Sequence, residues 1–323
     1  MRSMPFHFIA ALATCWLFCF LPSARAEAPP EIWFAPLPAY TNARLGKIGV
    51  TDFQNLFATD ADWRHAAANV KVFKFLVPYL RTASDADLAT AIAFLKQHHI
   101  AIAIEIGLLH DVPQCPHLEG HDGDQVQIAQ RIKRLGGELA YVAADEPLWF
   151  GHSVNAKPGC NLDLDALAQE AAATAKAIRT VFPNVEFVDI EPITNFKEPD
   201  TAMLFSQWEV SFARAFNEKF AAVDFDIYWP IPWEQRVNSV FKQLNNQHIP
   251  VGVICNGNPA DADDSSFLAN AKAHCDAFAK ATGSSPSRVI FQSWVAHPTR
   301  VLPESISDSF THLIVDYSAE FGR

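Results

Sequence analysis

The sequence has little positive charge and few glycines, and these shortages exclude several classes of protein. Its 323 residues include 25 Lys and Arg against 36 Asp and Glu, a formal net charge of −11 at pH 7. This balance excludes a nucleic-acid partner, because no basic surplus is available to neutralise phosphates. The 13 glycines form neither a dinucleotide fingerprint after the first apolar run nor a glycine-rich run before a helix. The sequence therefore predicts no phosphate site.

Other chemical signatures are missing too. A Gly-x-Ser-x-Gly elbow is absent, which argues against a serine hydrolase, and no Cys-x-x-Cys spacing supports a zinc site. What the sequence does contain is apolar: 50% of its residues are hydrophobic and 12% are aromatic, with 25 Phe and 8 Trp. This composition is typical of a globular protein with a large core rather than of a disordered chain.

Residues 1–26 have the pattern of an export signal. Arg2 precedes an apolar run from Phe6 to Leu21, and Ser23-Ala24-Arg25-Ala26 ends in a small-x-small pattern. Because the run is short for a membrane span, we expect cleavage after Ala26 and a secreted or periplasmic protein with no membrane span in its mature chain.

Four cysteines follow the signal, namely Cys115, Cys160, Cys255 and Cys275. An even number of cysteines in an exported protein predicts two disulfide bonds. Among the three possible connectivities we favour Cys115–Cys160 and Cys255–Cys275, because each pair flanks one region of the chain.

Short apolar runs alternate with helical patterns along residues 27–323. The runs recur at intervals of 29 to 46 residues and begin at Ile32, Val70, Ile100, Leu139, Val185, Ala222, Val251 and Val289. A clear helical pattern covers Asp85 to His98, with Ser84 as its N-cap, and the last helix is expected over Ser307 to Phe321. Eight such units predict an α/β fold, a single-domain (β/α)8 TIM barrel. An open doubly wound sheet is the alternative.

Acidic residues lie near the ends of the third to sixth runs, where the active site of such a barrel is built. Carboxylates within apolar strands cost free energy unless they are paired or used, so their convergence predicts a catalytic cluster. We expect the catalytic residues among Glu105, Glu146, Glu191 and Asp226. Asp189 and Asp224 are candidates to face the helices instead.

Aromatic and polar residues accompany the acids at the strand ends. Indole rings stack on the apolar faces of sugars, while carboxylates and amides bind the hydroxyl groups. The pattern predicts a carbohydrate substrate, bound by Trp33, Lys74, Asp145, Trp149, Tyr228, Trp229, Asn256, Gln292 and Trp294.

Asp145-Glu146-Pro147, at the end of the fourth run, resembles the Asn-Glu-Pro motif of retaining (β/α)8 glycoside hydrolases of the cellulase and β-galactosidase superfamily. The resemblance implies Glu146 as the general acid/base and Trp294 as a sugar platform. The chain departs from the pattern in two places: Asp145 replaces the asparagine, and the seventh run ends in Asn256 where the superfamily has its glutamate nucleophile. Glu191 is therefore our first choice for the second carboxylate, followed by Asp226 and Glu105.

These patterns together predict a secreted glycoside hydrolase that cleaves a poly- or oligosaccharide by carboxylate acid/base chemistry, as a monomer without cofactor or metal. The missing seventh-strand glutamate leaves a non-catalytic carbohydrate-binding barrel as one alternative. A metal-dependent polysaccharide hydrolase or deacetylase is the other, since the third loop is rich in His and Asp. Its residues are His110, Asp111, His117, His121, Asp122 and Asp124.

Overall fold

Eight parallel strands close into a barrel in the computed structural model, which describes residues 29–42, 46–109, 123–153, 155–157 and 159–320. The strands are β1 (Glu31–Ala35), β2 (Val70–Leu76), β3 (Ala101–Ile106), β4 (Leu139–Asp145), β5 (Glu186–Pro192), β6 (Ala222–Asp226), β7 (Val251–Cys255) and β8 (Arg288–Gln292). Each pairs with its neighbour in the chain, and β8 pairs with β1 to complete the ring. The predicted (β/α)8 barrel is confirmed.

Ten α-helices of the described chain surround or cap this barrel. They are α1 (Arg64–Asn69), α2 (Val77–Thr82), α3 (Asp85–Gln97), α4 (Gln125–Arg134), α5 (Pro147–His152), α6 (Leu164–Val181), α7 (Thr201–Phe216), α8 (Glu234–Asn246), α9 (Asp264–Thr282) and α10 (Phe310–Ser318). Helix α3 begins after Ser84, whose side chain accepts the N–H of Asp87 as expected. The last helix begins later than the expected Ser307, because Ser309 caps its N-terminus, and it ends at Ser318.

Side chains alternate between the barrel interior and the helix layer along each strand. On β5, Val188 and Ile190 point into the barrel, while Phe187 packs in the core between sheet and helices. Asp189 also faces the helices, where its carboxylate accepts the indole N–H of Trp208 on α7 at 3.0 Å. This alternation decides which of the strand-end acids reach the interior.

Two further features lie at the carboxyl ends of the strands. Residues Tyr40–Asn42 and Gly46–Ile48 form an antiparallel hairpin after β1. A disulfide bond joins Cys255, at the end of β7, to Cys275 on α9, which is the second of the expected pairings. Cys160 is disulfide-bonded as well, but Cys115 lies outside the described residues and its pairing stays a prediction.

The predicted export signal also lies outside the described residues. Among the helices that the structure describes, none has both the length and the apolar character needed to span a bilayer.

Candidate active site

An open cleft lies over the carboxyl ends of the strands and consists of two adjoining pockets. The first pocket, of about 300 Å³, is bordered by the hairpin and by the ends of β3, β4 and β8. The second pocket, of about 230 Å³, is bordered by the loops that follow β5, β6 and β7. Glu146, Asp226 and Trp294 line both pockets. Two carboxyl groups and one indole ring therefore occupy the junction of the cleft.

Glu146 stands directly after β4 in an unusual backbone conformation. Its φ of 49° and ψ of 44° are left-handed, a region that costs free energy for a residue with a β-carbon. Its N–H still donates to Ile190 of β5 at 3.0 Å, and Pro147 starts helix α5 immediately after it. The chain therefore turns sharply at Glu146, at the edge of the cleft.

Asp226 is the last residue of β6. Burial raises the pKa of its carboxyl group to about 6, and the negative charge of Glu105 raises that pKa further while the charge of Lys74 lowers it. A carboxyl group with such a pKa exchanges its proton under mildly acidic conditions, which suits acid/base chemistry.

Glu105 is a structural partner of Lys74 rather than a free acid. The ammonium group of Lys74 donates to Glu105, and both side chains are buried inside the barrel. Gln292 of β8 donates its amide N–H to the same carboxylate, 3.3 Å from each oxygen. Glu105 and Gln292 line the first pocket, whereas Lys74 lies buried behind Glu105. The expected role of Lys74 as a substrate ligand is therefore not supported by this arrangement. The expected role of Glu105 as a catalytic residue stays a prediction, because Glu105 lines the first pocket.

Glu191 does not lie on the cleft, contrary to our expectation for the second carboxylate. It follows the inward-facing Ile190, so it points into the helix layer, where it is fully buried. Its two oxygens accept the backbone N–H groups of Leu148 at 2.6 Å and Trp149 at 3.0 Å. Asp224, also buried, lies deep in the barrel with its carboxylate 3.6 Å from the guanidinium group of Arg288.

Two of the four strand-end tryptophans line the cleft. Trp294 lines both pockets, and Trp229 lines the second, where its indole donates to Asn256 at 2.8 Å and stacks on His274 with centroids 4.3 Å apart. Tyr228, beside it, is exposed over the same pocket. Asp145 lines the first pocket.

The other two tryptophans line neither of the two pockets. Trp33 is fully buried, which corrects the expectation that it binds substrate, whereas Trp149 is only partly buried against the core. Trp33 fills the barrel interior, where the guanidinium group of Arg288 lies 4.6 Å from its ring and Tyr141 packs at 4.9 Å. Trp149 packs edge-on against Phe196, with ring centroids 5.2 Å apart. Because Trp149 keeps part of its surface exposed, its expected role in substrate binding stays a prediction.

The sequence reasoning missed residues that connecting segments bring to the cleft. They are Tyr40, Asn42, Arg81, Phe150, Thr194 and Asn195. The signal for the first two was weak, because a hairpin of two three-residue strands resembles an ordinary loop in sequence. Arg81 forms two hydrogen bonds with Asp124, at 2.7 and 2.8 Å, so much of its charge is already neutralised.

A metal centre finds no support in the described part of the chain, where no group of three or more His, Cys, Asp or Glu residues could hold an ion. Most of the third-loop cluster, from His110 to Asp122, lies outside that part, so the expectation for it is untested.

No protein family model and no curated protein match this chain. Solved structures do match its fold. A thermostable mutant of a xylanase from Cellvibrio japonicus is 11% identical, with a TM-score of 0.52 over 90% of this chain and 98% of the xylanase. A fungal β-1,4-galactanase is 10% identical, with a TM-score of 0.51 over 86% of this chain and 93% of that one.

Enzymes of a different chemistry match equally well. A truncated 3-deoxy-D-arabino-heptulosonate 7-phosphate synthase from Thermotoga maritima is 12% identical, with a TM-score of 0.50 over 91% of this chain and 87% of the synthase. At such identities the similarity establishes the barrel alone, since one fold supports many functions.

Proposed function

We propose that the protein is a glycoside hydrolase that cleaves a poly- or oligosaccharide, with Glu146 and Asp226 as its two carboxyl groups. The observation that carries the proposal is the position of these residues, which line both pockets together with Trp294. A chain of sugars that filled both pockets would present the bond between two units to both carboxyl groups. Trp294 would stack on a sugar face at the same point.

The roles of the two groups follow from their surroundings. Glycosidic cleavage needs one protonated carboxyl group for the leaving oxygen and one carboxylate that attacks the anomeric carbon or activates water. Because the pKa of Asp226 is raised to about 6, we assign it as the proton donor. Glu146 is then the attacking or water-activating carboxylate. The family resemblance implies that Glu146 is the general acid/base, whereas this assignment gives the role of proton donor to Asp226.

The charges around the cleft favour a neutral saccharide. Lys74 is paired with Glu105, and Arg81 is paired with Asp124, so both cations nearest the first pocket have carboxylate partners. The acidic side chains at the junction would repel a uronic acid. Xylan, β-1,4-galactan, mannan and cellulose are therefore the substrates to test.

A lysine buried in the barrel raises Schiff-base chemistry as an alternative, because a lysine amine can form a Schiff base with a carbonyl substrate. Lys74, on β2, is the lysine that the described structure buries within the barrel. Its amine has no exposed surface and already donates to Glu105, so a carbonyl substrate in the cleft has no access to it. This contact argues against a Schiff base at Lys74.

The proposal is tested by assaying reducing ends released from the four polysaccharides, together with a 2,4-dinitrophenyl glycoside of the sugar that is released. Glu146→Gln should lose about 10⁴-fold on both kinds of substrate. Asp226→Asn should lose about 10²- to 10⁴-fold on the polysaccharide, as expected for a general acid, and retain most activity on the activated glycoside, whose leaving group needs no proton. Glu186→Gln, an exposed carboxylate at the start of β5, is the matched control.

The outcomes separate the alternatives. Activity of Glu146→Gln at the level of the control would overturn the proposal. If Glu146→Gln, and not Asp226→Asn, spares the activated glycoside, the pair is right and the two roles are exchanged. Binding of oligosaccharides without any release of reducing ends would favour a carbohydrate-binding barrel.

We also propose that the protein is exported as a monomer after cleavage behind Ala26, since the pattern of residues 1–26 and the Cys255–Cys275 disulfide fit an oxidising compartment. Mass spectrometry of the secreted protein should find Glu27 at its N-terminus. An intact N-terminal segment would overturn this expectation.

A further inference from the structure

Helix α5 is held at its beginning by a buried carboxylate on the neighbouring strand. Glu191 of β5 directs one oxygen to the N–H of Leu148 at 2.6 Å and the other to the N–H of Trp149 at 3.0 Å. These N–H groups belong to the first turn of the helix, where they have no partner within the helix itself. The side chain of Glu191 therefore fixes the two residues that follow Pro147.

The residue just before that turn is Glu146, in its left-handed conformation. Non-glycine residues persist in this region only when their surroundings hold them there, and such strain is concentrated at functional sites. The N–H of Glu146 is tied to Ile190, and its carbonyl accepts the N–H of Phe150, both at 3.0 Å. The contacts of Glu191, at Leu148 and Trp149, lie between these two bonds along the chain.

The other end of α5 is fixed independently. The carbonyl groups of Phe150 and Gly151 accept the N–H groups of Cys160 and Leu162, at 2.8 and 2.7 Å. Gly151 packs so closely on α6 that a β-carbon there would lie 2.3 Å from Leu167. With its far end anchored in this way, we expect a change at Glu191 to act mainly on the turn that carries Glu146.

A carboxyl group is the side chain that suits this arrangement. Two N–H groups need two acceptor oxygens, and a glutamine offers one acceptor and one donor. Placing Glu191 here costs free energy, because its side chain is fully buried and forms no ion pair with a cation of the described chain. Burial raises the pKa of Glu191 well above its ordinary value, and the charges of Asp189 and Glu146 raise it further, whereas the two N–H groups lower it.

We propose that Glu191 is a positioning residue that holds Glu146 in its left-handed conformation at the junction of the cleft. The inference rests on the proposed function for the catalytic role of Glu146, but the hold on the backbone is a property of the fold. Glu191 itself touches no substrate, since the strand directs it into the helix layer. Its effect on the reaction is exerted through the backbone of residues 146–149.

The test compares Glu191→Gln and Glu191→Ala with Glu209→Gln. Glu209, on α7, is a second buried carboxyl group of the same helix layer, and no described hydrogen bond links it to α5. Two measurements are made on the purified protein: hydrogen exchange of the Leu148 and Trp149 amides by NMR, and kcat and KM on xylan or β-1,4-galactan, whichever is cleaved. The exchange measurement needs no substrate and follows the hold on the backbone directly.

In Glu191→Gln, the exchange rates of the Trp149 and Leu148 amides should rise about 10-fold or more. The kcat should fall about 10- to 100-fold while KM stays within about twofold, as expected when a catalytic group is misplaced by a fraction of an ångström. Glu191→Ala should show larger changes in the same direction. Glu209→Gln should leave both amides protected and kcat unchanged.

Unchanged amide exchange in Glu191→Gln and Glu191→Ala would overturn the proposal, as would faster exchange with an unchanged kcat. An equal loss of kcat in Glu209→Gln would point to general weakening of the layer and would overturn it too. If the unsubstituted protein cleaves no polysaccharide, the proposed function fails, and the exchange data still decide whether Glu191 holds the turn.

Discussion

Lys74 and Glu105 form an ion pair inside the barrel, directly beneath the cleft. Lys74 has no exposed surface and Glu105 has 3%. Each charge lies on the inner face of its strand, β2 and β3, and Gln292 of β8 completes the group across the barrel. A buried pair of this kind contributes little net stability, because desolvation of both ions offsets their attraction. Replacing only one of the two residues, in contrast, is expected to destabilise the fold strongly.

The first prediction concerns this pair. Lys74→Met and Glu105→Gln should each destabilise the protein by about 3–5 kcal/mol, because each leaves one buried charge without its partner. The stability of the double variant should fall by much less than the sum of the two single losses. Urea denaturation of the four proteins measures the coupling, and additive losses would contradict the ion pair.

The second prediction concerns the dependence of activity on pH. Asp226 acts as a proton donor in the proposed reaction, and its pKa is raised to about 6. Its protonated fraction is high below pH 6 and falls about tenfold for each pH unit above it, so kcat/KM on the polysaccharide should fall in the same way, since kcat/KM follows the groups of the free enzyme. The pH profile of kcat/KM measures this limb.

Asp226→Asn provides the control for that limb, since its residual activity on an activated glycoside should no longer fall near pH 6. A wild-type kcat/KM that rises through pH 6 would instead assign Asp226 as the ionised member of the pair.

The third prediction separates the tryptophans. Trp294→Ala should raise KM for an oligosaccharide about 10- to 30-fold, because it removes a ring that lines both pockets. It should change the melting temperature little. Trp33→Phe should do the opposite, lowering the melting temperature and leaving KM unchanged, since Trp33 is buried against Arg288 and Tyr141. Equal effects of both changes on KM would contradict this division.

The fourth prediction concerns the pH dependence of stability. Glu209 is buried with both oxygens lacking a hydrogen-bond partner among the described residues, and burial raises its pKa well above 4.5, with Asp189 adding to the rise. A carboxyl group whose pKa is raised by folding favours the folded state in acid. Its contribution is lost as pH rises from the unfolded pKa through the folded one.

Glu209→Gln should therefore melt about 2–4 °C higher than the wild type at pH 8, corresponding to about 1 kcal/mol, and the difference should shrink at pH 4. Differential scanning calorimetry at both pH values measures it. A difference that does not depend on pH would contradict the prediction, and Glu186→Gln is the exposed control.

The fifth prediction concerns the disulfide between Cys255 and Cys275. Asn256 follows the first cysteine and His274 precedes the second, and the ring of His274 contacts the Asn256 carbonyl at 2.7 Å. Replacing both cysteines with serine should destabilise the protein by roughly 3 kcal/mol. It should also raise KM for an oligosaccharide, because the disulfide holds Asn256 at the second pocket. Because both cysteines are buried, mild reductant should leave the folded protein oxidised. Rapid loss of the bond under native conditions would contradict this.

The order of elements was predictable because local signals repeat. Eight apolar runs separated by helical patterns imply eight strand–helix units, and each run contains the strand that the structure forms. The end of α3 and both ends of α10 differ from the expected bounds by one to a few residues, because the ends of helices are set by local contacts that the apolar pattern does not mark. The strand-end location of Glu146, Asp226 and Trp294 was predictable for the same reason.

Which acids reach the cleft was not predictable. Strands of a parallel barrel are buried on both faces, so their sequences do not mark an inner and an outer side. Glu191 and Asp226 both end an apolar run, yet Glu191 faces the helices and Asp226 lines the cleft. Trp33 lies in a strand as expected, but its depth in the barrel depends on packing against Arg288 and Tyr141 from distant segments.

The sequence by itself thus determined the strand–helix alternation, the barrel and the set of acids and tryptophans at its carboxyl end, because these depend on local periodicity. Only the tertiary structure decided that Glu146 and Asp226 share one cleft, that Glu105 is bound to Lys74, and that Glu191 supports the turn at Glu146. Those relationships join different strands, and they arise from the closure of the barrel, which brings together residues far apart in the chain.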